Sequence, residues 1–155
     1  MSLSIIGAAA LCLVAAALEG ILAGRGVRER LADLRQPRYS PPFAVWVGIG
    51  VAYYVIAAVV LTRVLDAPAS RLRWTALLLI TVLLLMNALW NLAFFRLKHL
   101  AAAVAIAVMY VPVALWLLFL LMRLDTIGAS VFVVYVIYLG YAVWWTLTVR
   151  RLNSI

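Results

Sequence analysis

WTALLLITVLLLMNALWNLAFF, Trp74–Phe95, is 22 residues long and carries no charged side chain. A transmembrane α-helix needs about 20 consecutive apolar residues to cross a hydrocarbon core of about 30 Å. The stretch therefore reads as a membrane span. Outward in both directions the pattern repeats. Towards the N-terminus lie Leu3–Ala23, interrupted only by Glu19, and Phe43–Leu61. Towards the C-terminus lie Leu100–Met122, with Pro112 inside it, and Ile127–Val149, which stops at Arg150 and Arg151. The expected fold is an all-α integral membrane protein, one five-transmembrane-helix bundle over residues 1–155, with helices near 3–23, 43–61, 74–95, 100–122 and 127–149.

Composition agrees. Of 155 residues 69% are apolar and 12% charged, and mean hydropathy is +1.17. A soluble domain has about 25% charged residues, and this chain would have to expose large apolar patches in water. That excludes a soluble cytosolic enzyme. Five spans consume about 100 residues, which leaves short connections and no room for an aqueous domain. The lone Cys12 can form neither an intrachain disulfide nor a Cys-rich metal site.

The net charge of +8 comes from basic residues placed between the apolar runs, so no nucleic-acid partner is expected. No Lys or Arg precedes the first span, which therefore lacks the basic start of a signal peptide and reads as a retained helix. With the N-terminus outside, the inner segments hold Arg25, Arg28, Arg30, Arg35, Arg38, Arg96, Lys98, Arg150 and Arg151, nine side chains, against four, Arg63, Arg71, Arg73 and Arg123, outside. The positive-inside rule then puts the C-terminus and the long loop Gly24–Pro42 in the cytoplasm, and the expected location is a bacterial cytoplasmic membrane. Pro37, Pro41 and Pro42 stiffen that loop and should hold Tyr39 over the mouth of the bundle.

Polar and aromatic residues inside the spans are the candidates for function. Asn87 and Asn91 stand one turn apart on the third span, with Trp90 and Phe94 on the same face. The fifth span carries a stripe of Tyr135, Tyr138 and Trp145, and the second supplies Trp46, Tyr53 and Tyr54. An apolar pocket walled by rings with a few fixed polar groups suits a flat, largely apolar ligand. Ordinary bundle packing explains the same residues in blander terms. Glu19 is the only carboxylate within a span, a functional candidate or one half of a snorkelling ion pair with Arg25 or Arg28. Ala16, Gly20 and Gly24, and Ala44, Gly48 and Ala52, form small-xxx-small stripes for packing within the chain or for a dimer. His99 has no companion ligands, and no nucleophile–base set or phosphate loop is present, so neither a metal site nor catalysis is expected.

Pro37-Arg38-Tyr39-Ser40-Pro41-Pro42 before an aromatic helix, Asn87-Ala88-Leu89-Trp90 followed by Phe94-Phe95, and Tyr135-Val136-Ile137-Tyr138 leading to Leu152-Asn153 occur in a recognisable order. The chain resembles the translocator protein family, the tryptophan-rich sensory proteins (TspO/MBR, peripheral benzodiazepine receptor-like), over nearly its whole length. It departs from the family pattern at Gln36 (Lys in the family), at Arg38 and Tyr39 (Trp), at Val134 (Pro), at Tyr138 (Trp) and at Thr146 (Asn).

The resemblance implies a pocket within the bundle, closed by loop one, that takes porphyrins, sterols and synthetic ligands. Trp46, Tyr54, Asn87, Trp90, Tyr135 and Tyr138 would line it, joined here by Asn91 and, in the loop, Tyr39. The expected activity is that of a sensor, carrier, receptor or transporter for a porphyrin or haem, a carotenoid or a sterol-like lipid, with no covalent cofactor. The basic loop would meet propionates or anionic lipid headgroups, with Arg38 favouring anionic ligands. The expected partners are membrane lipid, the hydrophobic ligand and a homodimer mate or larger membrane complex. The alternative is an accessory structural subunit of a membrane pigment or electron-transfer complex.

Overall fold

The computed structural model describes residues 3–154. It contains five long helices and one short one: α1 Leu3–Ala23, α2 Val27–Asp33, α3 Phe43–Asp66, α4 Arg71–Asn91, α5 Leu100–Leu124 and α6 Thr126–Asn153. All but α2 are long and apolar enough to span a membrane. In lipid no water is available to the backbone, so these runs satisfy their own N–H and C=O groups by coiling. Round the bundle the order is α1, α3, α6, α5, α4, with α4 closing on α1 and also touching α3.

The outer surface is apolar, as lipid contact requires: Leu13, Val14, Ile21, Val51, Val55 and Ile137 all stand exposed. The interior holds two packed clusters. One contains Val60, Leu61, Val64, Leu117 and Leu121. The other gathers Leu31, Leu34, Phe94, Trp145 and Val149 beneath α2.

Helix ends differ from the expected bounds wherever a polar side chain can be absorbed into a helix. The second span continues through Arg63 to Asp66, and the fifth through Arg150 and Arg151 to Asn153. The third begins at Arg71, capped by Ser70, whose Oγ accepts from the Arg73 N–H at 3.2 Å. The third span does not end as a plain α-helix. Leu92–Arg96 form a π turn, with the Leu97 N–H bonded to the Leu92 carbonyl at 2.9 Å. His99 caps α5, its Nδ1 accepting from the Ala102 N–H at 3.0 Å, and so has a structural task. Asp125 caps α6 and pairs with Arg63 on α3. Pro112 lies inside a continuous α5.

Loop one is not extended throughout. Gly24 and Gly26 take positive φ values of 75° and 93°, which only glycine adopts freely, and turn the chain from α1 into α2. α2 lays Leu31 into the second cluster.

Candidate ligand cavity

A cavity of about 300 Å³ opens within the bundle, lined by members of both interior clusters. That is the lower end of the range for small-molecule sites. α3 contributes Trp46 and Tyr53, α4 contributes Asn87, Trp90 and Asn91, and α6 contributes Tyr135, Tyr138 and Trp145. α5 reaches in with Tyr110, and α2 covers the cavity with Val27 and Leu31.

The walls are built from rings braced against rings. Trp90 stacks on Phe94 at 4.8 Å between centroids, and Trp46 meets Trp145 edge-on at the same separation. Tyr53 and Tyr135 lie 5.2 Å apart. Such contacts are worth about 0.5–1.5 kcal/mol beyond area burial, and they hold the walls in place without a ligand. The phenols of Tyr53 and Tyr110 share a hydrogen bond of 3.2 Å, and Tyr110 donates onward to the Leu83 carbonyl at 2.7 Å. The indole N–H of Trp46 is buried with no partner among the described residues. A buried orphan donor on a cavity wall marks a place for an acceptor on the ligand.

Glu19 lines the same cavity, and the snorkelling pair with Arg25 or Arg28 does not form. Its Oε2 accepts instead from the Tyr54 hydroxyl and from Asn87 Nδ2, each at 2.6 Å. Three helices, α1, α3 and α4, meet at that oxygen. Asn91 holds the turn below by donating to the Asn87 carbonyl at 3.0 Å.

Of the residues singled out in the sequence, Trp46, Asn87, Trp90, Asn91, Tyr135 and Tyr138 are brought together on the cavity wall. Tyr54 is not on the wall and reaches the cavity only through Glu19. Tyr39 stands apart. Its ring is 72% exposed and faces the Arg38 guanidinium at 5.8 Å, so neither side chain closes the mouth. What holds the loop down is its backbone and its small polar groups. The Tyr39 carbonyl accepts from the Tyr141 hydroxyl at 2.9 Å, and Ser40 Oγ accepts from Trp145 Nε1 at 2.9 Å. Thr146, where the family pattern has Asn, also lines the cavity, as do Tyr110 and the α2 residues Val27 and Leu31, which carry no clear sequence signal of doing so.

No curated protein matches the chain at a significant level. The profile of the TspO/MBR family matches residues 8–152, which includes every helix that builds the cavity and the loop that covers it. A match over nearly the whole chain, on a five-span bundle, assigns this integral membrane protein to the TspO/MBR family.

Proposed function

We propose that the protein binds a flat, largely apolar ligand of the tetrapyrrole, carotenoid or sterol-like class in this cavity, as a carrier, sensor or regulator and not as an enzyme. The observation that carries the reading is the ring-walled cavity itself, roofed by α2 and provided with a few fixed polar groups. Flat conjugated molecules gain dispersion and stacking on such walls, and Asn87, Trp46 and the tyrosine hydroxyls supply orientation. At about 300 Å³ the cavity takes a compact ring system whole, whereas a macrocycle or polyene projects through the mouth or displaces α2. The proposed setting is a bacterial cytoplasmic membrane with the N-terminus outside. Ser4 bonded to Asp66, and Arg63 to Asp125, gather at one end of the bundle, and Arg35 bonded to Asn153 at the other. The nine basic side chains assigned to the inner segments lie in the connections and the α6 terminus at the Arg35 end.

The test is titration of the purified protein in mild detergent with a porphyrin, a carotenoid and a sterol, read by tryptophan emission and by the porphyrin Soret band. Trp46, Trp90 and Trp145 stand on the wall, so a bound ligand quenches them. Saturable quenching near one ligand per chain is expected from at least one class, and its absence from all three overturns the reading.

A second reading, an accessory or self-associating subunit, is favoured by one observation. A side chain built at Gly20 or Gly48 would meet nothing within 4 Å, so these stripe positions do not serve close packing inside the chain. Release from the membrane only as part of a large assembly, lost on Gly48→Leu, would support it.

A further inference from the structure

Among the described residues, Glu19 is the one charged side chain on the cavity wall. The arginines of loop one do not line it, and Arg38, the residue that suggested a preference for anions, is turned onto Tyr39 outside. A carboxylate this deep in a span is expensive unless its partners compensate it. Here the Tyr54 hydroxyl and the Asn87 amide both donate to Oε2, and the Asn91 amide also faces the carboxyl. The Asn91 amide has two N–H protons, and one of them goes to the Asn87 carbonyl. The cavity is thus an aromatic enclosure with one carboxyl group on its wall among the described residues.

From this we infer that the cavity also takes a ligand class beyond the tetrapyrrole, carotenoid and sterol-like ones: a flat apolar body bearing a protonated amine, its ammonium group meeting the Glu19 carboxyl while Trp90, Trp46 and Tyr138 enclose the body. The inference rests on the proposed ligand-binding role of the cavity. Opposite charges attract far more strongly in a low-dielectric interior than in water. Aromatic faces add a second attraction for a cation. The same arrangement rejects a carboxylate entering first, because two like charges would meet without solvent between them.

Three pyrene derivatives separate the alternatives: 1-methylpyrene, 1-aminomethylpyrene and 1-pyreneacetic acid, titrated into the full chain in an uncharged detergent at pH 7 and read by energy transfer from tryptophan to pyrene. The amine is expected to bind at least tenfold tighter than the methyl compound, and the acid weakest. Glu19→Gln should bring amine and methyl affinities within about twofold and leave the methyl affinity in place. Comparing ratios between variants removes the unequal partitioning of the probes into micelles. Tyr54→Phe takes away a protein donor but keeps the carboxylate, so it should keep the preference for the amine even if Glu19→Gln proves too unstable to purify. If the methyl compound binds but the amine gains nothing, or gains equally in Glu19→Gln, the amine inference falls and the cavity reading stands. If none of the three binds, the amine inference falls, and the cavity reading is decided by the porphyrin, carotenoid and sterol titrations.

Discussion

Asn153 grips the backbone of Arg35 with both ends of its amide: Oδ1 accepts from the Arg35 N–H at 3.0 Å, and Nδ2 donates to the Arg35 carbonyl at 2.9 Å. The last residue of α6 thereby fixes a loop 118 positions earlier. Neutral hydrogen bonds contribute about 0.5–1.5 kcal/mol each, and these lie near water, at the low end of that range. Asn153→Ala is expected to raise local opening of loop one several-fold while the helices stay intact. Limited trypsin digestion, with Arg28, Arg30, Arg35 and Arg38 as sites, reads this directly. An unchanged rate of cutting would mean the amide grip does not hold the loop.

Trp90 and Trp116 make a matched pair. Trp90 lines the cavity and stacks on Phe94, whereas Trp116 is 56% exposed on the outer face of α5. Trp90→Ala should weaken ligand binding by about 2 kcal/mol or more, the size of a hot-spot aromatic. Trp116→Ala should leave affinity unchanged. Titration of both variants with any ligand that binds the parent chain decides it, and equal losses would place the site elsewhere.

The turn between α5 and α6 depends on one carboxylate. Asp125 accepts from the Gly128 N–H at 2.7 Å and from Arg63 Nη2 at 2.6 Å. The Arg63 guanidinium bonded to it holds the Asp125 carboxyl below its usual range. A carboxyl whose pKa is lower in the folded state contributes stability that is present above its unfolded pKa and lost as pH falls through the folded one. Melting curves taken from pH 7 to pH 3 should therefore show a loss of stability at the acidic end that is smaller in Asp125→Asn. A Cβ at Gly128 would lie 2.7 Å from Asp125 Oδ2, so Gly128→Ala must push the cap aside. It should cost about 1 kcal/mol, the value of a typical N-cap, and a neutral result would show that the cap re-forms freely.

Membrane orientation is open to a direct check. Fusions at the C-terminus should be active with a cytoplasmic reporter and silent with a periplasmic one, following the asymmetry of nine basic side chains to four. The reverse pattern would invert the bundle and place loop one outside.

The spans were legible because hydropathy sums over about 20 residues and needs no partner. The rings of Trp46, Trp90, Tyr135 and Tyr138 were legible for a related reason, since helical spacing puts them on shared faces. α2 was not. Its seven residues include Arg28, Glu29 and Arg30, Gly26 offers no side-chain cap, and a few apolar residues, Val27, Leu31 and the adjoining Leu34, mark the side that turns inward. The partners of Glu19 were hidden for a different reason. Arg25 and Arg28 are near in sequence, but Tyr54 and Asn87 are 35 and 68 positions away, and only the packing of α3 and α4 against α1 brings them to the carboxylate. Tyr39 shows the limit of reading a stiff backbone: prolines fix where the chain runs, and here the main-chain carbonyl, not the ring, makes the contact. The π turn at Leu92–Arg96 shifts one hydrogen-bond register, a change to which composition is blind.

Among the described residues, every hydrogen bond that a helix side chain makes to loop one comes from α6: Tyr141 to Tyr39, Trp145 to Ser40 and Asn153 to Arg35. The same helix carries Tyr135, Tyr138 and Trp145 of the wall. Roof and wall are thus fastened to one rod. Any displacement of that rod would disturb the cover and the ring-bearing wall at once. A change far from the rings, at the tip that holds Arg35, therefore bears on cover and wall together.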